Sequence, residues 1–79
     1  MDQESVKHMI QQGFSEAEVE VGGEGCNLSV TVISPDFVGQ SRIQRHRQVM
    51  DRVKALLESG ELHALSVTTY TPEDWAKRP

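Results

Sequence analysis

Two short runs of alternating side chains limit how this chain can fold. Over 17–21, Val19 and Val21 alternate with Glu18 and Glu20; over 28–33, Leu28, Val30 and Val32 stand opposite Ser29, Thr31 and Ile33. A period of two puts successive side chains on opposite faces of a strand, so each run is a strand with one apolar side. The tetrapeptide Gly22-Gly23-Glu24-Gly25 lies between them and marks a hairpin turn, and Ser34-Pro35-Asp36 stops the second run. A lone two-stranded hairpin is marginal in water. Its apolar face has to be covered by the rest of the chain.

The cover is helical. Over 4–13, Val6, Met9, Ile10 and Gly13 recur at helical spacing, and Gly13 ends the run. Ser41 is suited to cap a long helix reaching about Ser59. Its apolar stripe (Ile43, Val49, Met50, Val53, Leu56, Leu57) falls within an arc of about 140° before Gly60 stops it. Residues 62–69 are rich in β-formers and read as a third strand. Thr71-Pro72-Glu73-Asp74 then has the cap, first-position proline and acidic first turn of a short last helix, whose Trp75 is expected to pack back on the core. The order is helix, strand, strand, helix, strand, helix, an α+β class in one domain spanning 1–79. A third strand reached through a helical crossover should lie parallel to the second. Cys26, just before strand two, and His63, at the start of strand three, would then share one edge of the molecule.

Size and charge narrow the function. A domain of 79 residues buries only about 60% of its chain surface, which leaves little room for a deep catalytic pocket. No Ser/His/Asp constellation or phosphate loop is present, so a binding or accessory role is favoured over an enzyme. The single cysteine excludes an internal disulfide, and no apolar run suits a membrane span or signal peptide, which points to a soluble cytoplasmic protein. The net charge of −4 hides an asymmetry. Residues 1–24 carry six acids against Lys7, whereas 37–54 carry Arg42, Arg45, Arg47, Arg52 and Lys54 against Asp51. The basic segment is a candidate docking surface for a protein partner or a nucleic acid.

That segment also carries a resemblance. Phe37-x-Gly39 followed by Arg45-His46-Arg47 and Val49, then Leu62-His63-Ala64-Leu65-Ser66 and Tyr70-Thr71-Pro72-Glu73-Asp74-Trp75-Ala76, resembles the BolA family over nearly the whole chain, most of all its bacterial IbaG-type branch. The chain departs from the usual pattern at Val38, where an acid is common, and at Met50, where an aromatic or polar residue is common. It has no histidine in the hairpin loop. The resemblance implies a three-stranded mixed sheet backed by helices, similar to a type II KH domain. It further implies a heterodimer with a monothiol glutaredoxin that shares a bridging [2Fe-2S] cluster with that partner and glutathione, and no cofactor for the chain alone. Carried over to this sequence, the ligands are His63 and, from the hairpin loop, Cys26.

The other residues are weighed against this. His46 falls in the middle of the apolar arc, so it is expected to be a structural histidine, hydrogen-bonded to backbone or to groups near Asp36, rather than a ligand. Arg45 and Arg52 flank one side of the stripe and Arg47 and Lys54 the other, all expected to be exposed. Nucleic-acid binding through the KH-like fold and basic helix is the alternative function. It is opposed by the overall negative charge and by the only Gly-x-x-Gly, residues 22–25, sitting in a hairpin. A homodimer is the other assembly the sequence admits.

Overall fold

The computed structural model describes residues 3–24 and 27–78. The elements are α1 (Gln3–Gln11), β1 (Glu18–Glu24), β2 (Asn27–Ile33), a 3-10 turn at Pro35–Phe37, α2 (Arg42–Arg52), α3 (Lys54–Ser59), β3 (Ala64–Tyr70) and α4 (Pro72–Lys77). They form a small single domain of the α+β class. The sheet order is β1-β2-β3, with β1 antiparallel and β3 parallel to β2. The parallel crossover expected from the element order is therefore present.

Register builds the core. Val19 pairs with Val32 and Val21 with Val30 across the hairpin, while Leu28 pairs with Leu65 and Val30 with Val67 across the parallel ladder. These side chains share one face. Val6 and Ile10 of α1, and Val49 and Val53 at and just beyond the end of α2, cover that face and are fully buried. The other face carries the polar rows Glu20–Thr31–Thr68 and Gly22–Ser29–Ser66 and stays largely open to solvent. Burial of a Val or Ile side chain contributes about 1.5–3 kcal/mol, so this single apolar layer carries most of the stability.

Four details differ from the sequence reading. First, β1 runs on through Gly22 and Gly23 to Glu24, which pairs with Asn27. The glycines that look like the turn are the end of the strand, because the valine pairs behind them set the register. Second, the long helix is broken. Val53 leaves helical geometry (φ −118°, ψ 12°), and its N–H bonds to Met50 O at 3.1 Å. The break lets Val53 sink into the core and turns α3 so that Leu56 and Leu57 pack against it. Gly60 then ends α3 in the left-handed region, at φ 83°. Third, Leu62 lies before β3 rather than within it. It is fully buried, and its N–H donates to Leu56 O at 3.1 Å. Fourth, Trp75 packs edge-to-face on Tyr70, ring centroids 5.1 Å apart, at the end of the sheet rather than in the central core.

The turn leading into α2 is tied down from several sides. The buried Ser34 hydroxyl donates to Ser15 O at 2.9 Å and accepts from Asp36 N at 3.1 Å, and the Asp36 carboxylate accepts from Ser15 N at 2.9 Å. Phe37 is fully buried against Phe14, centroids 5.1 Å apart. The helix start is capped reciprocally: Ser41 Oγ accepts from Gln44 N, and Gln44 Oε1 accepts from Ser41 N. Ser41→Ala removes one half of this box. It should lower stability by about 1 kcal/mol, measurable as a shift of the urea midpoint at constant slope.

Candidate functional site

His63 is held by its neighbours. Leu62, one residue before it, is locked into the core; Ala64, one residue after it, opens β3 and pairs with Asn27. Between an inward anchor and a paired strand, His63 is left exposed, and its imidazole makes no hydrogen bond among the described residues. Cys26 lies outside the described residues. The residue after it, Asn27, is the one that pairs with Ala64, the residue after His63. Neighbouring strands lie about 4.8 Å apart, so His63 is one residue away from a rung that Asn27 shares. Among the described residues no three His, Cys, Asp or Glu side chains gather to hold a metal ion.

The basic segment does not form one docking surface. Arg45 is turned inward: its side chain is 17% exposed, its Nε donates to Gln40 O at 3.2 Å, and its guanidinium sits 5.8 Å from the Phe37 ring centroid. The Asp74 carboxylate lies 4.0 Å from it. Arg45 therefore braces the turn before α2 against α4. Arg52 faces the end of α1, beside Gly13 and Asp51, where a side chain at position 13 would run into it. Lys54 belongs to α3 and stands 3.9 Å from Glu58. Only Arg42 and Arg47 remain together.

His46 is also corrected. It is exposed, and no bond joins it to Asp36, whose carboxylate is taken by Ser15. Ile43, placed in the core stripe by its spacing, is 66% exposed. Both belong to an open groove of about 580 Å³. Arg42, Ile43, His46 and Arg47 form one wall, and residues 67–70 of β3 form the other. The signal for this groove was present in the chain. Arg42 is four residues before His46 and shares its side of the helix, and a charged side chain there does not suit burial. Val38, where the resemblance departs from the usual acid, is 67% exposed.

The sequence matches the family model described as BolA-like protein over residues 1–74. The chain belongs to the BolA family. It is 27% identical to the acid stress protein IbaG of Escherichia coli (strain K12), over 98% of this chain and 92% of that one. Among solved structures, a BolA protein homologue from Coxiella burnetii superposes with a TM-score of 0.85 at 33% identity, covering 98% of this chain and 99% of that one. BolA1 from Mus musculus superposes with a TM-score of 0.78 at 28% identity, covering 95% and 68%. The BolA sheet is thus the frame on which His63 and the basic groove are set. No helix among the described residues is long and apolar enough to cross a membrane.

Proposed function

We propose that this BolA protein is a non-enzymatic adaptor in iron-sulfur trafficking that completes a [2Fe-2S] cluster together with a monothiol glutaredoxin and glutathione. His63 supplies an imidazole nitrogen, Cys26 a thiolate, and the partner side the remaining thiolates. The observation that supports this reading is the Asn27–Ala64 rung, with an exposed and unengaged imidazole next to it. A histidine in place of a thiolate raises the potential of a [2Fe-2S] centre, and a site completed only by two chains comes apart when they do. Both properties suit handing a cluster on rather than storing it. A cluster held at this edge takes half of its four ligands from outside the chain.

The test is anaerobic reconstitution with a monothiol glutaredoxin and glutathione, followed by visible circular dichroism. His63→Ala should lose the mixed-ligand spectrum and most of the cluster's lifetime. The residue is exposed, so the variant's urea midpoint should stay within about 0.5 kcal/mol of wild type. His46→Ala, at another exposed histidine, should keep the spectrum. Identical spectra and lifetimes for wild type and His63→Ala would remove the ligand assignment.

A further inference from the structure

The groove between α2 and β3 is separate from the cluster end of the sheet. Its β3 wall, residues 67–70, begins four residues beyond His63, so at about 3.3 Å per residue its middle lies roughly 16–20 Å along the strand. β3 is an edge strand: it pairs with β2 on one side, and no described strand pairs with the other. Along that open edge every second residue turns its amide and carbonyl outward. The helix overhanging it presents two arginines, a histidine and a solvent-exposed isoleucine. In a chain of net charge −4 this concentration of positive charge is local, and β1, the opposite edge, carries Glu18, Glu20 and Glu24.

We propose that this groove takes an extended acidic segment of a partner protein, added to β3 as a fourth strand. Each wall asks for a different part of such a ligand. The open edge of β3 is satisfied by a backbone in β conformation. Side chains at alternate positions of that backbone turn toward α2, where carboxylates meet Arg42, His46 and Arg47 and an aliphatic side chain covers Ile43. Arginine favours a carboxylate because its planar fork bonds both oxygens. A phosphate backbone would use the same charges and leave the strand edge unpaired. It would also face the repulsion of an acidic protein with few cations at the contact. A second copy of this chain is the remaining occupant, since its β1 edge is acidic. That contact is head-to-tail and propagates into open chains rather than a closed dimer.

The probe is a fluorescein-labelled seven-residue peptide with glutamate at positions one and five, valine at position three and threonine elsewhere, titrated at about 50 mM salt, where surface charge is weakly screened. Binding should shift the amide resonances of Thr68, Thr69 and Tyr70. Affinity should fall about tenfold or more in R42E/R47E, and by a similar factor when the glutamates become glutamine. It should be lost when the peptide is N-methylated at the amides of one edge, and it should be unchanged in His63→Ala, which separates this surface from the metal reading. Both arginines are exposed, so a native far-ultraviolet spectrum for R42E/R47E is expected and is checked first. No binding by the peptide, or binding indifferent to N-methylation, overturns the strand-addition proposal. So does tighter binding by a single-stranded oligonucleotide of equal charge. Concentration-dependent sedimentation of the protein alone that R42E/R47E abolishes gives the groove to a second copy and overturns it as well.

Discussion

Phe37→Ala should cost about 3–5 kcal/mol, the largest loss available to a single truncation in this protein. A domain of 79 residues has a total stability of about 4–12 kcal/mol, so the variant is expected to lose a quarter of it or more. The ring is fully buried, contacts Phe14 edge-to-face, and offers its face to the Arg45 guanidinium. Removing it opens a cavity between the turn at Pro35–Phe37 and α1, and deprives a half-buried cation of its aromatic neighbour. The backbone on either side cannot collapse inward easily, because Ser34 and Asp36 hold it to Ser15. Phe37→Leu keeps most of the volume and should cost under about 2 kcal/mol. Urea unfolding followed by far-ultraviolet circular dichroism measures both. A loss below about 1 kcal/mol for the alanine variant would mean that the turn is not anchored through this ring.

Phe37 also shows why the start of α2 could be recognised from sequence before its role could be assigned. Phe37, Gly39 and Ser41 have local signatures, and local signatures survive folding. The hairpin valines and the cap at Ser41 belong to the same class: periodicity and capping chemistry depend on residues a few positions apart. The position of His63 was legible for a related reason, since the order of elements dictates a parallel neighbour for β2.

Burial along α2 was legible only at its start, where the charge of Arg42 shares the side of His46. Helical phase says which way His46 points; what stands there depends on β3 being the last strand of the sheet. Beyond β3 there is nothing to pack on, so Arg42, Ile43 and His46 overhang an open groove while Val49 and Val53, on the same arc, are buried. Arg45 errs in the opposite sense. Charge predicts exposure, but a long arginine stem can lie along an aromatic ring while its head finds a carbonyl and a carboxylate. The break at Val53 has no local cause at all: Arg52, Val53 and Lys54 are tolerable helix residues, and the bend exists because Val53 is drawn into the core. The grouping of Arg42, Arg45, Arg47, Arg52 and Lys54 as one surface failed at these three places together.

The two glycines of β1, Gly22 and Gly23, give the sharpest contrast within a single element. Gly23 has φ +101°, and a Cβ there would lie 2.5 Å from Asn27 O and 3.0 Å from Leu28 Cα, both backbone atoms. Gly22 has an ordinary backbone, and a Cβ there would meet Ser29 Oγ at 3.4 Å. Gly23→Ala should therefore cost about 2–6 kcal/mol, adding a strained backbone of about 1–3 kcal/mol to an overpacking cost of similar size. Gly22→Ala should be neutral or stabilise by up to about 1 kcal/mol. The consequence for function follows from position. Gly23 pairs with Leu28, its carbonyl accepts from Gln3 Nε2 at 2.9 Å, and the next rung, Glu24–Asn27, flanks the connection that contains Cys26. Forcing Gly23 away from Leu28 shifts that connection relative to His63 without touching either proposed ligand. At a temperature where Gly23→Ala is still folded, reconstitution with a monothiol glutaredoxin should give a shorter-lived cluster and an altered visible spectrum, whereas Gly22→Ala should match wild type. A normal cluster in Gly23→Ala, with His63→Ala still defective, would leave His63 as ligand and remove the hairpin end from the site.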